Sequence, residues 1–294
     1  MDIVFNVNPL GLEGLAASLT SLVRNCSQTE KTTLWFLCSG LAVSDKDNIS
    51  LLLDGEDFKG AVEFIDFDAQ SIFGHLRSLH GDWTSYGRLL IPDIVKSDSA
   101  LYLDADLVIE LDVLRLRNFN FDGHILGAVH GSEVKHTLDT TFLTQRLNIP
   151  EDTAYFNAGV ILFNLKKWRA ERIEDDWKTT SDKYPGELIS HDQTLLNALC
   201  MGKFARLPSE FNVPWRPNKA RPANTDSAIL HYVGSPKPWD WCGAHIHKGY
   251  DTWSSYTPAF WKKHYRKMTS DKIQRTWKIR RSLLKGLKNK VLTS

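Results

Sequence analysis

Residues 101–110, LYLDADLVIE, place two aspartates one residue apart at the end of a short apolar run. The run ALYLD is typical of a buried strand, so Asp104 and Asp106 stand where that strand should end. Like charges this close raise each other's pKa unless a positive group lies between them. The pair therefore raises the question of which cation it faces, and in which fold.

The first hundred residues indicate the fold because strand-like and helix-like segments alternate. Apolar residues at helical spacing fill 11–25, and Ser44 is a candidate N-cap for a later helix. The strand-like runs lie at Ile3–Val7, 32–40, 61–67 and 100–104. This alternation predicts a parallel sheet flanked by helices, whose ligands lie at the carboxyl ends of the strands.

The remaining chain is less regular. The segment at 85–95 is helical in pattern until Pro92, and 208–225 holds four prolines with little periodicity. Residues 131–155 are polar and irregular, which suggests a mobile loop over a site. Further strands are predicted at 123–130 and 157–165, and helices at 166–184 and 190–202. We expect one α/β domain, 1–261, and a C-terminal appendage, 262–294.

Composition is that of an ordinary globular protein, with 42% hydrophobic and 24% charged residues in 294. The N-terminus shows no basic, apolar leader pattern, and no run approaches the roughly 18 apolar residues of a membrane span. The four cysteines form no CxxC pair, so we expect reduced thiols in a cytoplasmic protein. They are Cys26, Cys38, Cys200 and Cys242.

The net charge of +1 conceals a strong asymmetry. Residues 262–294 contain twelve Lys or Arg and one acid, Asp271, a net charge of +11. The first 261 residues contain 24 basic and 34 acidic side chains, a net charge of −10. An acidic body with a basic tail predicts that the tail meets an anionic surface and that the body does not bind nucleic acid.

Three further motifs could cooperate with the aspartates, which suit Mg²⁺ or Mn²⁺ as oxygen ligands. In HYVGSPKPW (231–239), His231 is a possible third ligand, Gly234 allows close backbone approach, and Lys237 supplies a cation. In FNAGVILFNL, Asn157 precedes a backbone stretch that a ligand could contact. In SHDQTLLNAL, Ser190 is a candidate helix cap before Asp192 and Gln193.

Each motif also has a purely structural interpretation. An Asp-x-Asp pair occurs by chance in solvated loops and at helix caps, and a single His after a strand is more often a hydrogen-bonded core residue. Asn157 could begin a turn, and capping alone would account for Asp192.

Taken together and in this order, these stretches resemble glycosyltransferase family 8. The resemblance is greatest to bacterial lipopolysaccharide α-galactosyl- and α-glucosyltransferases, with glycogenin more distant. It rests on MDIVF, TSYGRLLIPD, LYLDADLVIELD, YFNAGVILFNLKKW, HDQTLLNAL and HYVGSPKPW, spread over residues 1–240. It implies a GT-A (Rossmann-like) fold and Mn²⁺-dependent, retaining transfer of a hexose from a UDP-sugar, UDP-glucose or UDP-galactose.

The resemblance also implies site roles. Asp104, Asp106 and His231 would ligate the metal, with Mg²⁺ as a possible substitute, and Gly234 and Lys237 would contact the diphosphate. Gln193 would lie beneath the anomeric carbon, with Asp192 as the alternative covalent nucleophile. The implied donor-sugar contacts are Arg88, Asn157, Ala158, Gly159 and Asp192.

One segment departs from the family pattern. After the first strand the chain reads NVNPLGL (6–12), where relatives carry an acidic segment with Asn and Tyr that holds the uridine. Asn6 and Asn8 could still bond a base or ribose. His130 also stands where some relatives have an aspartate near the acceptor, so the acceptor is not inferred from the resemblance.

The tail can be interpreted as one amphipathic helix, 268–294. Ile273, Trp277, Leu284, Leu287 and Val291 form an apolar stripe among Lys and Arg, as in interfacial helices on anionic lipid. Together with the family's membrane-bound saccharide and glycolipid acceptors, it predicts peripheral attachment to the inner face of the cytoplasmic membrane.

Two other functions remain open. A metal-dependent phosphohydrolase can also carry an Asp-x-Asp after a strand, although it leaves the Asn157, Asp192 and His231 motifs unexplained. A catalytically silent nucleotide-sugar binder is suggested by the altered NVNPLGL segment.

Overall fold

The computed structural model describes residues 1–293, with side chains described through Lys288. Within this part of the chain the sheets contain ten strands, which in chain order are β1 Asp2–Val7, β2 Thr33–Cys38, β3 Ala61–Asp66, β4 Ser99–Leu103, β5 Leu107–Ile109, β6 Leu126–Glu133, β7 Ala154–Asn164, β8 Ala205–Arg206, β9 Val213–Pro214 and β10 Ile229–His231.

The described α-helices are α1 Leu12–Asn25, α2 Val43–Gly55, α3 Ala69–Phe73, α4 Ile91–Ile94, α5 Thr140–Gln145, α6 Leu165–Ala170, α7 Ile173–Lys183, α8 Asp192–Cys200, α9 Gly243–Ile246, α10 Tyr250–Tyr256, α11 Ala259–Tyr265, α12 Ser270–Lys278 and α13 Arg280–Thr293. Short 3-10 turns link several of them, including Thr84–Leu90 before α4.

The main sheet has seven strands in the order β3-β2-β1-β4-β7-β6-β8. The first four run parallel, and β8 is parallel to β6, whereas β7 is antiparallel to both of its neighbours. Apolar side chains on its two faces form two core clusters under the flanking helices. The predicted mainly parallel α/β sheet is confirmed, and its carboxyl edge at β1 and β4 carries the Asp-x-Asp pair.

A second, three-stranded sheet has the order β5-β10-β9 and is not evident from periodicity. The chain leaves the main sheet at Leu103 and enters the small one at Leu107, so Asp104–Asp106 forms the crossing between the sheets. Strand β10 is antiparallel to β5, with His231 opposite Leu107. This pairing brings a histidine from more than a hundred residues away beside the two aspartates.

Helix α1 fixes the crossing in place. The Ser18 hydroxyl lies 3.0 and 2.9 Å from the carbonyls of Ala105 and Leu107, and it accepts the Leu107 N–H at 3.0 Å. A Cβ on Gly14 would lie 2.6 Å from the Ala105 carbonyl oxygen. The glycine therefore allows the helix to approach the crossing closely enough for its hydroxyl to bond the strand.

Several local expectations are wrong. Helix α2 is capped at Ala42, whose N–H bonds Asp45, and not by Ser44. The predicted helix 166–184 is two helices, because Arg172 adopts a left-handed conformation (φ 54°). Pro92 lies in the first turn of α4, where its missing N–H costs nothing, and the preceding Thr84–Leu90 is a 3-10 turn.

Residues 131–155 are also more regular than expected. Strand β6 continues to Glu133, α5 occupies Thr140–Gln145, and β7 begins at Ala154. Buried Asp139 anchors the segment, since its carboxylate accepts hydrogen bonds from Tyr155, Ser190 and Thr194. The segment is therefore a packed connection and not an irregular loop.

The tail is two helices, α12 and α13, with a break at Ile279. The break divides the predicted apolar stripe. Ile279 and Leu283 are buried against Ile246, with Leu287 packed beside them, whereas Ile273, Trp277 and Leu284 are each more than half exposed. The side chain of Val291 lies outside the described residues. Among the described residues, no helix combines the length and apolar character needed to cross a bilayer.

Candidate active site

A cleft of about 650 Å³ opens at the carboxyl edge of the main sheet. Asp104 and Asp106 line the cleft, and His231 is buried beside them and is not itself part of the lining. One ligand atom from each of these three residues, here called the ligand cluster, lies within 4.8 Å of the others. Many of the predicted site residues line the cleft. These are Asn8, Arg88, Asp104, Asp106, Ala158, Gly159, Asp192, Gln193, Gly234 and Lys237.

Asp104 is held from below by three groups. Its Oδ1 accepts hydrogen bonds from Tyr102 Oη at 2.6 Å and Arg88 Nη2 at 2.9 Å, and its backbone N–H donates to the Gly159 carbonyl at 2.8 Å. The guanidinium of Arg88 also lies 4.1 Å from the centre of the Tyr102 ring. Because these contacts engage Oδ1, the other oxygen, Oδ2, is left to face His231.

Asp106 faces two positive or potentially positive groups. Its Oδ2 lies 2.6 Å from Lys237 Nζ, and its Oδ1 lies 3.2 Å from His231 Nε2. Burial alone would raise the pKa of this carboxyl, but Lys237 and His231 outweigh burial and hold the pKa well below its usual range. Asp106 is therefore ionised across the physiological pH range. Its Oδ1 is buried without a well-aligned hydrogen-bond donor, although His231 is close.

The orientation of His231 suits metal ligation. Its Nδ1 lies 3.0 Å from Asn212 Oδ1, and Asn212 Nδ2 donates to Asn157 Oδ1 at 3.1 Å. With the Asn212 amide in this orientation, Nδ1 donates to Asn212, so Nε2 is the ring nitrogen that faces the aspartates and would offer its lone pair to a cation held between them. A neutral imidazole nitrogen beside two carboxylates is a donor set that fits Mn²⁺ or Mg²⁺.

The ligand cluster leaves no room for a side chain at position 159. A Cβ there would lie 2.3 Å from His231 Cε1, 2.7 Å from its Nδ1 and 3.0 Å from Asp104 Oδ2. Strand β7 therefore passes directly behind both halves of the ligand cluster, and only glycine leaves room for them.

Asn157 and Gln193 form one amide network. Gln193 Oε1 accepts from Asn157 Nδ2 at 3.0 Å and from the Ala158 N–H at 2.9 Å, while Gln193 Nε2 donates to Tyr155 Oη at 2.9 Å. Asn157 is not among the residues that line the cleft, and it links Gln193 to Asn212 instead. Its described contacts are those of a support for the cleft wall.

Arg88 and Asp192 form a buried charge pair beside the cluster. Arg88 Nε lies 2.9 Å from Asp192 Oδ2, and its Nη1 donates to the Ala158 carbonyl. Burial raises the pKa of Asp192, although Arg88 opposes that shift. Arg88 therefore bridges Asp104 and Asp192, and it orients both carboxylates toward the cleft.

The start of α8 differs from the prediction. His191 is its N-cap in an unusual conformation (φ 58°, ψ −124°), and no side chain caps the helix. The backbone N–H of Ser190 instead bonds Thr194 and Asp139, so the predicted Ser190 cap is wrong. A strained residue on a cleft wall is common where an active site fixes backbone geometry.

Asn6 and Asn8 have different environments. Asn6 is buried and donates to the Thr84 carbonyl at 2.8 Å, away from the cleft lining. Asn8 lines the cleft, where its Nδ2 donates to Asp82 Oδ2 at 2.6 Å and its Oδ1 accepts from the Gly11 N–H. Asn8 and Asp82 therefore supply the polar groups at this end of the cleft.

Several supporting residues have no motif that marks them in the sequence. Asn212 lies in the irregular 208–225 segment, Tyr102 lies in a predicted strand, and Tyr155 lies in the segment 131–155 predicted to be a mobile loop. Asp139 and Asp240 were hidden among ordinary polar positions. Only the spatial arrangement shows that each of them holds a cleft residue.

A Rossmann-like half-sheet with an Asp-x-Asp crossing at its carboxyl edge defines the GT-A class of glycosyltransferase. The family model described as "Glycosyl transferase family 8" matches residues 2–242. The chain belongs to this family, and it is an enzyme, a retaining glycosyltransferase. The resemblance read from the sequence motifs is confirmed.

Curated relatives agree with this assignment. General stress protein A of Bacillus subtilis (strain 168) is 24% identical over 83% of this chain and 89% of its own length. Lipopolysaccharide 1,3-galactosyltransferase of Salmonella typhimurium (strain LT2) is 29% identical over 56% of this chain and 52% of its own length.

A solved structure supports the fold. The galactosyltransferase LgtC, solved in complex with donor and acceptor sugar analogs, matches with a TM-score of 0.72 and 25% identity. The match covers 90% of this chain and 99% of that one. The predicted GT-A fold is therefore confirmed.

Proposed function

We propose that this enzyme transfers a hexose, glucose or galactose, from a UDP-sugar to a saccharide acceptor, with Mn²⁺ held by the ligand cluster. The observation that carries the proposal is the convergence of Asp104, Asp106 and His231, whose ligand atoms lie within 4.8 Å of one another at the cleft, with Lys237 beside them. When bound, the cation supplies charge that stabilises a diphosphate leaving group. Mg²⁺ fits the same donor set.

We infer that Lys237 and Gly234 contact the diphosphate. Lys237 Nζ lies against Asp106 and the Tyr232 carbonyl at the cleft floor, and Gly234 has φ of +80° with open space around its Cα. A phosphate drawn to this point can take the lysine ammonium as a donor while its oxygens approach the glycine backbone. Lys237 thereby stabilises the negative charge that develops as UDP departs.

The amide network favours front-face retention. Both hydrogen bonds to Gln193 Oε1 occupy the oxygen that a double displacement would require as a nucleophile. Asp192, the alternative covalent nucleophile, is instead paired with Arg88. We therefore propose that the acceptor hydroxyl attacks from the leaving-group side and passes its proton to the departing phosphate oxygen. Arg88, Asp192, Ala158 and Gly159 border the donor sugar, and Asn157 supports them.

We propose an acceptor in bacterial surface glycan synthesis, such as lipopolysaccharide, at the inner face of the cytoplasmic membrane. The name of the Salmonella relative and the +11 tail support this. A cavity of about 910 Å³ beside the tail is lined by four cationic side chains, which suit an anionic surface. They are Arg216, Lys219, Lys248 and Lys285.

Calorimetry with UDP-glucose and UDP-galactose, each with and without Mn²⁺, tests the donor. We expect Mn²⁺-dependent binding and slow hydrolysis by the native enzyme, and loss of both in Asp106→Asn. Asp112→Asn, which changes a carboxylate away from the cleft, is the matched control. Binding without turnover in the presence of saccharide acceptors would favour a silent binder. Phosphate release from monoesters without UDP-sugar binding would favour a phosphohydrolase.

Vesicle cosedimentation tests the membrane proposal separately. Binding to vesicles with anionic lipid should weaken as salt rises, because exposed cations are screened. A paired change of Lys285 and Lys288 to Gln should weaken binding further, whereas Lys166→Gln with Lys203→Gln should not. Equal binding to neutral vesicles would contradict the proposal.

A further inference from the structure

Helix α12 of the basic tail lies across the cleft. Four of its residues, Asp271, Gln274, Arg275 and Lys278, line the same cavity as the two aspartates of the ligand cluster. Its opposite side exposes Ile273 and Trp277. The first tail helix therefore has an inner side that belongs to the donor cleft, which the charge pattern of the sequence does not reveal.

Arg275 makes the most specific contact of this helix. Its Nε lies 2.6 Å from Asp240 Oδ1 and its Nη2 lies 2.9 Å from Asp240 Oδ2, which is a two-pronged ion pair. The Asp240 side chain is only 5% exposed. Desolvation of Arg275 works against its charge, but the carboxylates of Asp240, Asp106 and Glu13 outweigh it and raise the pKa of Arg275.

Asp240 connects Arg275 to Lys237, the lysine of the cleft. Its Oδ2 accepts the backbone N–H of Lys237 at 2.7 Å, and Lys237 Nζ lies 2.6 Å from Asp106. Two ion pairs, Arg275–Asp240 and Lys237–Asp106, and the backbone hydrogen bond between them thus link the tail helix to the ligand cluster.

The helix is fastened elsewhere along its length. Lys278 Nζ donates to the His80 carbonyl at 2.8 Å on the opposite wall of the cleft, and Lys272 pairs with Glu13 of α1 at 2.8 Å. It therefore contacts the 234–240 loop, the loop around His80 and the helix that holds the Asp104–Asp106 crossing. A segment fixed at three points has a defined position relative to the cleft.

From this geometry we propose that Arg275 is a positioning residue for the donor diphosphate: through Asp240 it holds the 234–240 loop where Lys237 can meet the phosphates. The proposal rests on the proposed function for the identity of the ligand. Arg275 does no chemistry itself; it fixes the backbone that carries the lysine. The basic tail then serves the site directly, in addition to any surface it binds.

Hydrogen exchange of the ligand-free protein tests the positioning itself. In Arg275→Ala, peptides covering 234–240 should exchange at least about tenfold faster, because the partner that fixes Asp240 is lost. Arg281→Ala, an exposed cation of α13, is the control and should leave these peptides unchanged. Unchanged exchange in Arg275→Ala would overturn the proposal, whichever nucleotide the enzyme uses.

Nucleotide affinity tests the consequence. With Mn²⁺ present, Arg275→Ala should weaken UDP binding roughly 10- to 100-fold, the size seen when outer partners of a binding site are removed, and uridine binding should change less than twofold. Arg275→Lys keeps the positive charge but not the two-pronged geometry of the guanidinium, so its UDP affinity should lie between those of the native enzyme and Arg275→Ala. Equal losses for UDP and uridine would indicate general damage to the cleft and overturn the proposal.

A double-substitution cycle identifies the route. Asp240→Asn keeps an acceptor for the Lys237 N–H and removes the ion pair. If Arg275 acts through Asp240, the combined variant should lose no more UDP affinity than Arg275→Ala alone. Additive losses would overturn that route. Failure of the native enzyme to bind UDP at all would contradict the proposed function, while the exchange experiment would still decide the positioning role.

Discussion

The two halves of the ligand cluster are held in different ways. Asp104 follows a five-residue strand in the middle of the main sheet, and its partner Tyr102 is two residues away. His231 ends a three-residue strand of the small sheet, and its partner Asn212 comes from an irregular segment. The acidic half thus follows a regular central strand and gains further contacts from Arg88, Gly159 and Lys237, whereas the histidine ring is oriented by Asn212 of an irregular segment. The histidine half should therefore be the easier one to displace.

The largest effect should come from forcing the halves apart. In Gly159→Ala the new Cβ would lie 2.3 Å from His231 Cε1, so the imidazole or the strand must shift. We expect a loss of Mn²⁺ affinity of about a hundredfold and a destabilisation of about 1–3 kcal/mol from overpacking. Calorimetry and thermal unfolding measure the two.

Gly131→Ala is the matched control for that substitution. Gly131 lies on the neighbouring strand β6, and its new Cβ would have its nearest neighbour at 3.5 Å, an ordinary contact. Native Mn²⁺ affinity in Gly159→Ala would show that the halves are not locked together by β7.

A smaller effect should follow from loosening the histidine half alone. Asn212→Ala removes the acceptor that orients His231 and the donor to Asn157. Mn²⁺ affinity should fall roughly tenfold, at the low end for an outer partner of a metal ligand. Asn118→Ala, at an exposed position, should bind Mn²⁺ like the native chain. If both variants bind equally well, His231 is oriented by something other than Asn212.

The smallest expected effect concerns His247, which should alter the stability of the fold in acid and hardly at all at neutral pH. Its ring packs edge-on against Tyr232, next to His231, and burial lowers its pKa from 6.5 to about 4. Below pH 6.5 the unfolded chain binds this proton more readily than the folded chain does. Stability should therefore decrease as the pH falls from 6.5 to 4, by about 3 kcal/mol in full.

Urea unfolding at pH 7 and pH 4.5 measures this effect. His247→Gln keeps an acceptor for the Gly249 N–H, which now bonds the ring at 3.0 Å, and removes the titration. The stability difference between the two pH values should be smaller in the variant. An identical difference would show that other groups set the acid sensitivity.

The fold was largely predictable because its signal is repetitive. The strands of the parallel half follow from apolar runs, and Asp104 and Asp106 fall at a carboxyl edge for the same reason. His231 could be proposed from its motif, but its position could not. The pairing of β10 with β5 joins two three-residue strands more than a hundred positions apart, and periodicity carries no signal for such pairs.

The wrong expectations share a physical cause. Ser44 and Ser190 are predicted as caps from residue type, yet the helices begin at other N-cap residues, Ala42 and His191. The Ser190 N–H is itself tied to Asp139 and Thr194. The predicted apolar stripe in the tail required one continuous helix. In the structure Ile279 and Leu283 pack on Ile246, so a different set of tail side chains is buried. Local chemistry offers several partners, and tertiary packing selects among them.

The crossing between the two sheets also fixes the distance between the two aspartates. Asp104–Asp106 spans the gap between β4 and β5, and both ends are tied, one by parallel pairing with β1 and the other by hydroxyl contacts from α1. Because both ends are anchored, inserting or deleting one residue between them should turn one carboxylate out of the cleft. The spacing of the two aspartates is therefore set by the distance between strands β4 and β5. We expect that a loop away from the crossing, such as 117–124, can change length without altering the distance between the ligands.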